Sequence, residues 1–295
     1  MISKDSRKVV GEYVFLSKYS QTHNGVKETW DEAVNRVMTM HWNRYKEIVN
    51  EADMPEFERL FGFAEKLYHQ QHILGAQRAL QYGGELMLEK HARFYNCSST
   101  YIDRVEVFEE IMYLLLCGAG TGYSVQHIHT EQLPIPKGFN PKLEKKIFVI
   151  PDTIEGWAKA AGELIGAYYY GRAEVLFDYS QIRPKGAYIR GGFRAPGPEP
   201  LREALDKVRS LLCKVQKRKL RPFELHYIIC VLANSVVTGG VRRSAMISIF
   251  DADDVEMAGC KVGAWISTHP ELCRSNNSAA ILPLSLIHIS EPTRP

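Results

Sequence analysis

Apolar residues recur at helical spacing in TWDEAVNRVMTMHWNRYKEIV, where Trp30, Ala33, Val34, Val37, Met38, Trp42 and Tyr45 fall on one face. The spacing predicts a helical layer from about Glu28 to Arg93, with Thr29 or Asp31 placed to cap its first helix. Gly83 and Gly84 interrupt that layer among polar residues, which marks a turn or a close backbone approach. Beyond it the period alternates. VEVFEEIMYLLL, TIEGWAKAAGELIGAYYYG, PLREALDKVRSLLCKVQKRK and FELHYIICVLANSVV read as helices, and GYSVQHIH, EVLFDYSQI and AMISIF read as strands. Such alternation implies parallel strands joined by crossover helices, so the expected class is α/β. The expected organisation is a helical region over 1–90, a sheet-bearing region over 91–283, and a tail over 284–295 that differs in character.

Composition narrows the function classes. The 295 residues are 45% hydrophobic and 24% charged, as in soluble globular proteins, and the length suits more than one domain. A formal charge of +3 is too small for a broad nucleic-acid-binding face but permits local anion sites. The N-terminus lacks an apolar run of signal-peptide length, and IICVLANSVV is too short to span a bilayer. A cytoplasmic, reducing setting follows, in which Cys97, Cys117, Cys213, Cys230, Cys260 and Cys273 are expected as free thiols. No CxxC pair occurs, so no metal site is expected, and the sequons at Asn96 and Asn276 are read as fortuitous.

Three glycine-rich loops carry the candidate chemistry: CGAGTGYS, RPKGAYIRGGFRAPGPEPL and TGGVRRSA. Each adjoins an apolar element and so lies at an end of the sheet, where α/β folds place their ligands. In GAGTG a helix feeds the glycines and a strand follows, the reverse of a dinucleotide fingerprint, and no P-loop is present. Gly118, Gly120 and Gly122 can admit a ligand to the backbone or simply make a tight turn. Arg183, Lys185 and Arg190 share one loop, and Arg242 and Arg243 follow another glycine pair; together they suggest a polyanionic ligand such as a nucleotide. His127 with His129, and His69 with His72, have chelating spacing but lack a third ligand. The run Tyr168, Tyr169 and Tyr170 reads as packing, and Cys117, Cys213 and Cys230 fall in apolar helical stripes. Cys97, in FYNCSST, stands apart. Its polar neighbours are compatible with a reactive thiol, a packed residue or an idle sequon.

Taken in order, FYNCSST, LLLCGAGTGYSVQ, DTIEGWAKAAGELI, FDYSQIRPKGAYIRGG with APGPEPL, VVTGGVRRSAMISIFDADDVEM and CRSNNSAAI resemble the adenosylcobalamin-dependent class II ribonucleotide reductases of the monomeric, triphosphate-reducing type. The resemblance implies an N-terminal helical region followed by the first, incomplete part of a ten-stranded α/β barrel. It implies reduction of ribonucleoside triphosphates through a thiyl radical initiated by adenosylcobalamin, a thioredoxin-like reductant, a dNTP allosteric effector and a monomer, with neither nucleic acid nor membrane as partner. By the same resemblance Cys97 matches the first cysteine of a redox pair whose partner is absent from the sequence. Asn96, Ser98, Ala119, Gly120 and Gly122 match substrate-facing positions. Arg183, Lys185 and Arg190 correspond to one specificity loop, and Gly263, His269, Arg274, Asn276 and Asn277 to the second or its margin.

Two rival readings remain at this point: a diphosphate-reducing or iron-dependent reductase, and a non-catalytic dNTP-binding protein. The family's radical cysteine and second redox cysteine have no counterpart in this sequence, and LSLIHISEPTRP from Leu284 resembles a translated sequencing adapter. The chain is therefore expected to be a truncated portion, with an unpaired sheet edge that promotes aggregation. As a purified 295-residue polypeptide it is expected to be inactive; thioredoxin- and cobalamin-dependent dNTP formation in a direct assay would show otherwise.

Overall fold

The computed structural model describes residues 4–23, 25–189, 193–215, 218–237 and 245–281. Arg190, Arg242, Arg243 and the expected foreign tail lie outside the described residues. The chain divides into two compact units, the first ending at Asn96 and the second beginning at Cys97.

The first unit holds helix α1 (Lys4–Lys18), the antiparallel pair β1 (Thr22–His23) and β2 (Val26–Lys27), and helices α2 (Trp30–Tyr45), α3 (Met54–His69), α4 (Gln77–Tyr82) and α5 (Glu85–Glu89). A 3-10 turn follows at His91–Phe94. Of the two candidate caps, Thr29 acts: its hydroxyl accepts from the Glu32 N–H while the Glu32 carboxylate accepts from the Thr29 N–H. The inward face of α2 packs Ala33, Val34, Val37 and Met38 with Phe15, Tyr68, Leu80 and Met87. The glycine doublet is a close backbone approach, because a Cβ on Gly83 would stand 2.3 Å from the Ala79 carbonyl oxygen. Arg36, paired with the buried Glu28 at 2.5 Å, donates to the Gly83 carbonyl at 2.9 Å and secures the turn. Helix α1 lies ahead of the segment whose spacing was read as helical, but within the expected helical region over 1–90.

The second unit runs through β3 (Cys97–Tyr101), α6 (Val107–Leu116), β4 (Gly120–Ser124), α7 (His127–Thr130), β5 (Lys146–Val149), α8 (Ile154–Tyr170) and β6 (Val175–Asp178). It continues through β7 (Tyr188–Ile189), β8 (Phe193–Arg194), α9 (Glu199–Lys214), α10 (Pro222–Val237), β9 (Met246–Asp251), α11 (Val255–Gly259), α12 (Trp265–Thr268), a 3-10 turn at Pro270–Arg274 and β10 (Ser275–Ala280). Four strands form one parallel sheet in the order β10-β9-β4-β3. A second parallel pair joins β5 to β6, and β7 with β8 makes an antiparallel hairpin. The α/β class with parallel strands and crossover helices is thus present, and the core beneath the main sheet is built from α6, α8, α9 and α10.

Several local expectations need correction. Only Gly120–Ser124 of GYSVQHIH is a strand; the Asp251 carboxylate accepts from the His127 N–H at 2.7 Å and from the Gln126 side chain at 2.8 Å, and the chain turns into α7. His127 and His129 therefore share no strand face. Helix α3 ends at His69, and Gln71 takes a positive φ of 59°, so His69 and His72 are not a helical pair. Cys213 is exposed on α9 instead of lying in its apolar stripe, whereas Cys117 and Cys230 are buried. Tyr168 and Tyr169 are core residues and Tyr170 sits at the rim, 38% exposed.

Helix α8 is bounded by Thr153, whose hydroxyl accepts from the Gly156 N–H, and by Gly171 in the left-handed region at φ 68°. At Gly156 a Cβ would lie 2.4 Å from the Pro151 carbonyl oxygen. Alanine is normally the better helix former by about 1 kcal/mol. Backbone overlap outweighs that gain here, so Gly156→Ala is expected to lower the urea midpoint, with a cost on the order of 1–3 kcal/mol.

Candidate functional site: the open face of the parallel sheet

Side chains alternate across a strand, and the register of the main sheet sorts them into two faces. Cys97 pairs with Gly120, Ser99 with Gly122, and Gly122 in turn with Ile247, which pairs with Asn276. A Cβ placed on Gly122 would meet Ile247 Cγ2 at 3.3 Å and Ser99 Cβ at 3.9 Å, which puts these residues on one side. The alternate row of Ser98, Thr121, Met246 and Ser275 belongs to the helix-packed side, with all but Ser98 buried. Cys97, Ser99, Tyr101, Ile247 and Asn276 are exposed on the first side. That open face carries no side chain at Gly120 or Gly122, so its floor is bare backbone beside a thiol.

The predicted residues divide between these surroundings. Cys97, Gly120, Gly122 and Asn276 come together on the open face. Ser98 turns the other way, its hydroxyl donating to the Gly120 carbonyl at 3.2 Å and lying 3.2 Å from Thr121 Oγ1. Ala119 is fully buried just ahead of β4. Asn277 also points to the helix side, donating to Cys260 Sγ at 3.1 Å, and burial pushes that thiol's pKa up. Asn96 is exposed and accepts from Arg78 Nε at 2.7 Å.

The loop residues are tied down individually. Arg183 is ion-paired with Asp152 and donates to the Tyr188 carbonyl at 3.3 Å, while Lys185 is exposed. Gly263 adopts a φ of 71°. The His269 ring stands edge-on to Tyr227, with centroids 4.8 Å apart. Arg274 Nε donates to Asn234 Oδ1 at 3.1 Å. A cavity of about 230 Å³ lies beside this second loop, lined among others by Lys207, Asn234 and Glu271, with Lys207 Nζ 2.6 Å from Glu271 Oε1.

Residue-by-residue sequence reading missed the rest of the open face. Ser99 and Tyr101 follow from Cys97 by counting in twos, and the strand period was the signal that could have found them. Tyr101 stacks on His129 at 4.3 Å, and His129 Nδ1 lies 2.9 Å from Ser124 Oγ, closing the C-terminal end of the face. Beneath the sheet, Tyr123 Oη lies 2.8 Å from His226 Nδ1, and His226 Nε2 is 3.8 Å from Cys230 Sγ. Burial dominates all three groups: it pushes His226 down to about 3, Cys230 up to about 12, and the Tyr123 phenol upward. Cys230 is consequently an inert thiol. Among the described residues no group of three or more His, Cys, Asp or Glu could hold a metal ion, and no helix is long and apolar enough to cross a membrane.

Residues 136–212 match the family model described as the insertion domain of B12-dependent ribonucleotide reductase. An adenosylcobalamin-dependent ribonucleoside-triphosphate reductase of Euglena gracilis is 27% identical over 277 residues, covering 85% of this chain and 36% of that protein. The enzyme of that name from Lacticaseibacillus paracasei is 36% identical over 138 residues, covering 45% of this chain and 18% of its own length. A crystal structure of a B12-dependent class II ribonucleotide reductase superposes with a TM-score of 0.74 at 21% identity, over 91% of this chain and 45% of that one. That likeness gives the fold. The chain spans about a third of the Euglena protein and less than half of the matched structure.

The buried imidazole has a pH signature. His226 stays neutral in the fold down to about pH 3, whereas in the unfolded chain it takes a proton near its ordinary 6.5. Between those values the unfolded state binds the additional proton, so stability falls on acidification, by up to about 1.4 kcal/mol per pH unit from this group. Urea midpoints measured across that window are expected to slope less in His226→Asn than in the wild type.

Proposed function

We propose that the chain is part of a B12-dependent class II ribonucleotide reductase, as its similarities support, and that the whole protein reduces ribonucleoside triphosphates to 2'-deoxyribonucleoside triphosphates, with Cys97 as one of two reducing thiols. The observation that carries this reading is the exposed Cys97 side chain at the start of β3, opposite Gly120 on a face whose floor is bare backbone. A ribose laid on that floor meets amides and carbonyls at Gly120 and Gly122 with a thiol beside them. In the reaction the bond from C2' to oxygen breaks and the oxygen leaves as water. A hydrogen takes its place, and two thiols lose two electrons and their protons as they join in a disulfide.

No other cysteine lies on the strands of this sheet, so the second thiol comes from elsewhere in the protein. When bound, adenosylcobalamin would supply the radical chemistry that starts the reaction. The work of this chain's residues is to bind and orient the ribose and deliver reducing equivalents through Cys97. The loops around Arg183 and Lys185, and from Gly263 to Arg274, are read as the parts that sense a dNTP effector; Glu271 and Arg274 join the second of them to α9 and α10. A thioredoxin-like protein would restore the thiols.

The triphosphate reading is preferred over a diphosphate- or iron-dependent one because the matched relatives are named triphosphate reductases and the matched insertion domain is that of the B12-dependent class. In the full-length protein, Cys97→Ser is expected to abolish dNTP formation with thioredoxin as reductant, a loss on the order of a thousandfold or more. Equilibrium dialysis should find nucleotide affinity unchanged. Turnover surviving the substitution would remove Cys97 from the mechanism, and nucleotide binding without any turnover in the wild type would favour the non-catalytic binding protein.

A further inference from the structure

Strand β4 does two things at once. Toward the open face it presents Gly120 and Gly122, and toward the helices it presents Thr121 and Tyr123. Glycine floors have a mechanical weakness, since no side chain on that side resists movement of the strand. Besides the sheet ladder, and the contacts of Ser124 with Gln126 and His129 at its C-terminal end, what holds β4 lies underneath. Tyr123 is 1% exposed and reaches across to α10, where its hydroxyl meets Nδ1 of the fully buried His226 at 2.8 Å. The ring centroids are 6.0 Å apart. With the neutral imidazole accepting from the Tyr123 hydroxyl at Nδ1, its Nε2–H faces Cys230 Sγ, which belongs to the next turn of the same helix. The ring is thus partnered at both nitrogens.

An apolar pair of the same size would fill the space as well, because burying a hydroxyl and an imidazole costs most of what their hydrogen bond returns. A hydrogen bond adds something dispersion does not: a fixed distance and direction. It acts on β4 one residue from Gly122. A Cβ at Gly122 would already touch Ile247 Cγ2 at 3.3 Å, so the strands around the floor stand close and a small displacement of β4 changes its shape.

We propose that Tyr123 and His226 are positioning residues for the Cys97 face: their buried hydrogen bond ties β4 to α10 and fixes the backbone that carries Gly120 opposite Cys97 and Gly122 opposite Ser99. The inference rests on the reading of that face as the floor for the ribose. It assigns a role in substrate placement to a residue more than a hundred positions away in sequence, on an element that contributes nothing to the open face.

The test uses the full-length protein with Tyr123→Phe, His226→Leu and His226→Asn, and with Leu164→Ala in the α8 core as a control for lost stability alone. Asparagine places its Oδ1 where Nδ1 stood and can accept from Tyr123. Amide exchange at residues 120–124 is expected to quicken about tenfold in Tyr123→Phe and His226→Leu relative to the rest of the sheet. KM for the ribonucleotide should rise about fivefold or more while kcat changes less. His226→Asn should return both quantities to within about twofold of wild type. The control should lower Tm and speed exchange across the sheet without singling out β4. Unchanged exchange at residues 120–124 in Tyr123→Phe, or a change no different from that of the control, would overturn the proposal. The exchange arm needs no nucleotide, so an absence of ribonucleotide turnover in the wild type would count against the reductase reading while leaving the anchoring of β4 decided.

Discussion

The organising constraint is the two-residue period of β4. In GTGYS the odd positions of the motif are glycines and serine, and the even ones are Thr121 and Tyr123. Because the strand is paired in parallel on both sides, to β3 and to β9, a shift by one residue would exchange these sets. Tyr123 would then stand in the open, and glycines would face the helices where the core needs volume. The large apolar side chains of α6 and α10 reject that alternative, so packing under the sheet sets which atoms are bare above it. What the open face offers a ligand is in this sense a product of burial on the other.

The same economy governs charge. Sequence suggested basic loops awaiting an anion, but Arg183 of the first is paired with Asp152, and basic residues outside those loops are paired as well: Lys207 with Glu271, and Arg218 and Arg221 with Glu224. Burial opposes ionisation of Glu224, yet the two guanidiniums and the Arg221 N–H overcome it and hold the carboxyl near 2. These pairs brace the connections around α9 and α10 more than they advertise a site. A nucleotide phosphate approaching them must compete with a carboxylate already in place, which makes occupancy of the loops a matter of exchange between partners. Lys185, exposed in its loop, differs in that respect from Arg183 two residues earlier.

Sequence made the architecture legible to an unequal degree. Long amphipathic segments such as those of α2, α8 and α9 declared themselves, since period and caps agreed: Thr29 and Thr153 cap, and Gly171 stops. β5, β7, β8 and β10 did not. SNNSAA has no apolar alternation, because its strand character comes from pairing with β9 and not from its own composition. GYSVQHIH was misread at its end, where Asp251, distant in sequence, captures the backbone and starts a helix. Within the site, Cys97 and the glycines could be picked out as unusual residues in unusual company. The separation of Ser98 from Cys97, and of Asn277 from Asn276, depends on strand register, which neighbouring letters do not encode. His226 was invisible for a simpler reason: a lone histidine in an apolar helix gives no hint of the tyrosine it meets.

Parallel strands are ordinarily buried on both faces and read as runs of Val, Ile and Leu. Here CSSTY, GTGYS and SNNSAA are small and polar, and only MISIFD comes near the ordinary composition. Such strands contribute little apolar area on their open side, so most of the sheet's stability must come from the helices beneath. That side is well supplied, with Phe108, Ile111, Met112 and Leu115 on α6 and Leu225, Ile228 and Ile229 on α10 all buried. A sheet held from one side leaves the other free to be chosen for chemistry, and small side chains there keep the backbone within reach of a ligand. The price is sensitivity: where glycine replaces side-chain packing, strand position rests on a few contacts underneath, and the Tyr123–His226 hydrogen bond is a polar one among them, joining β4 directly to α10.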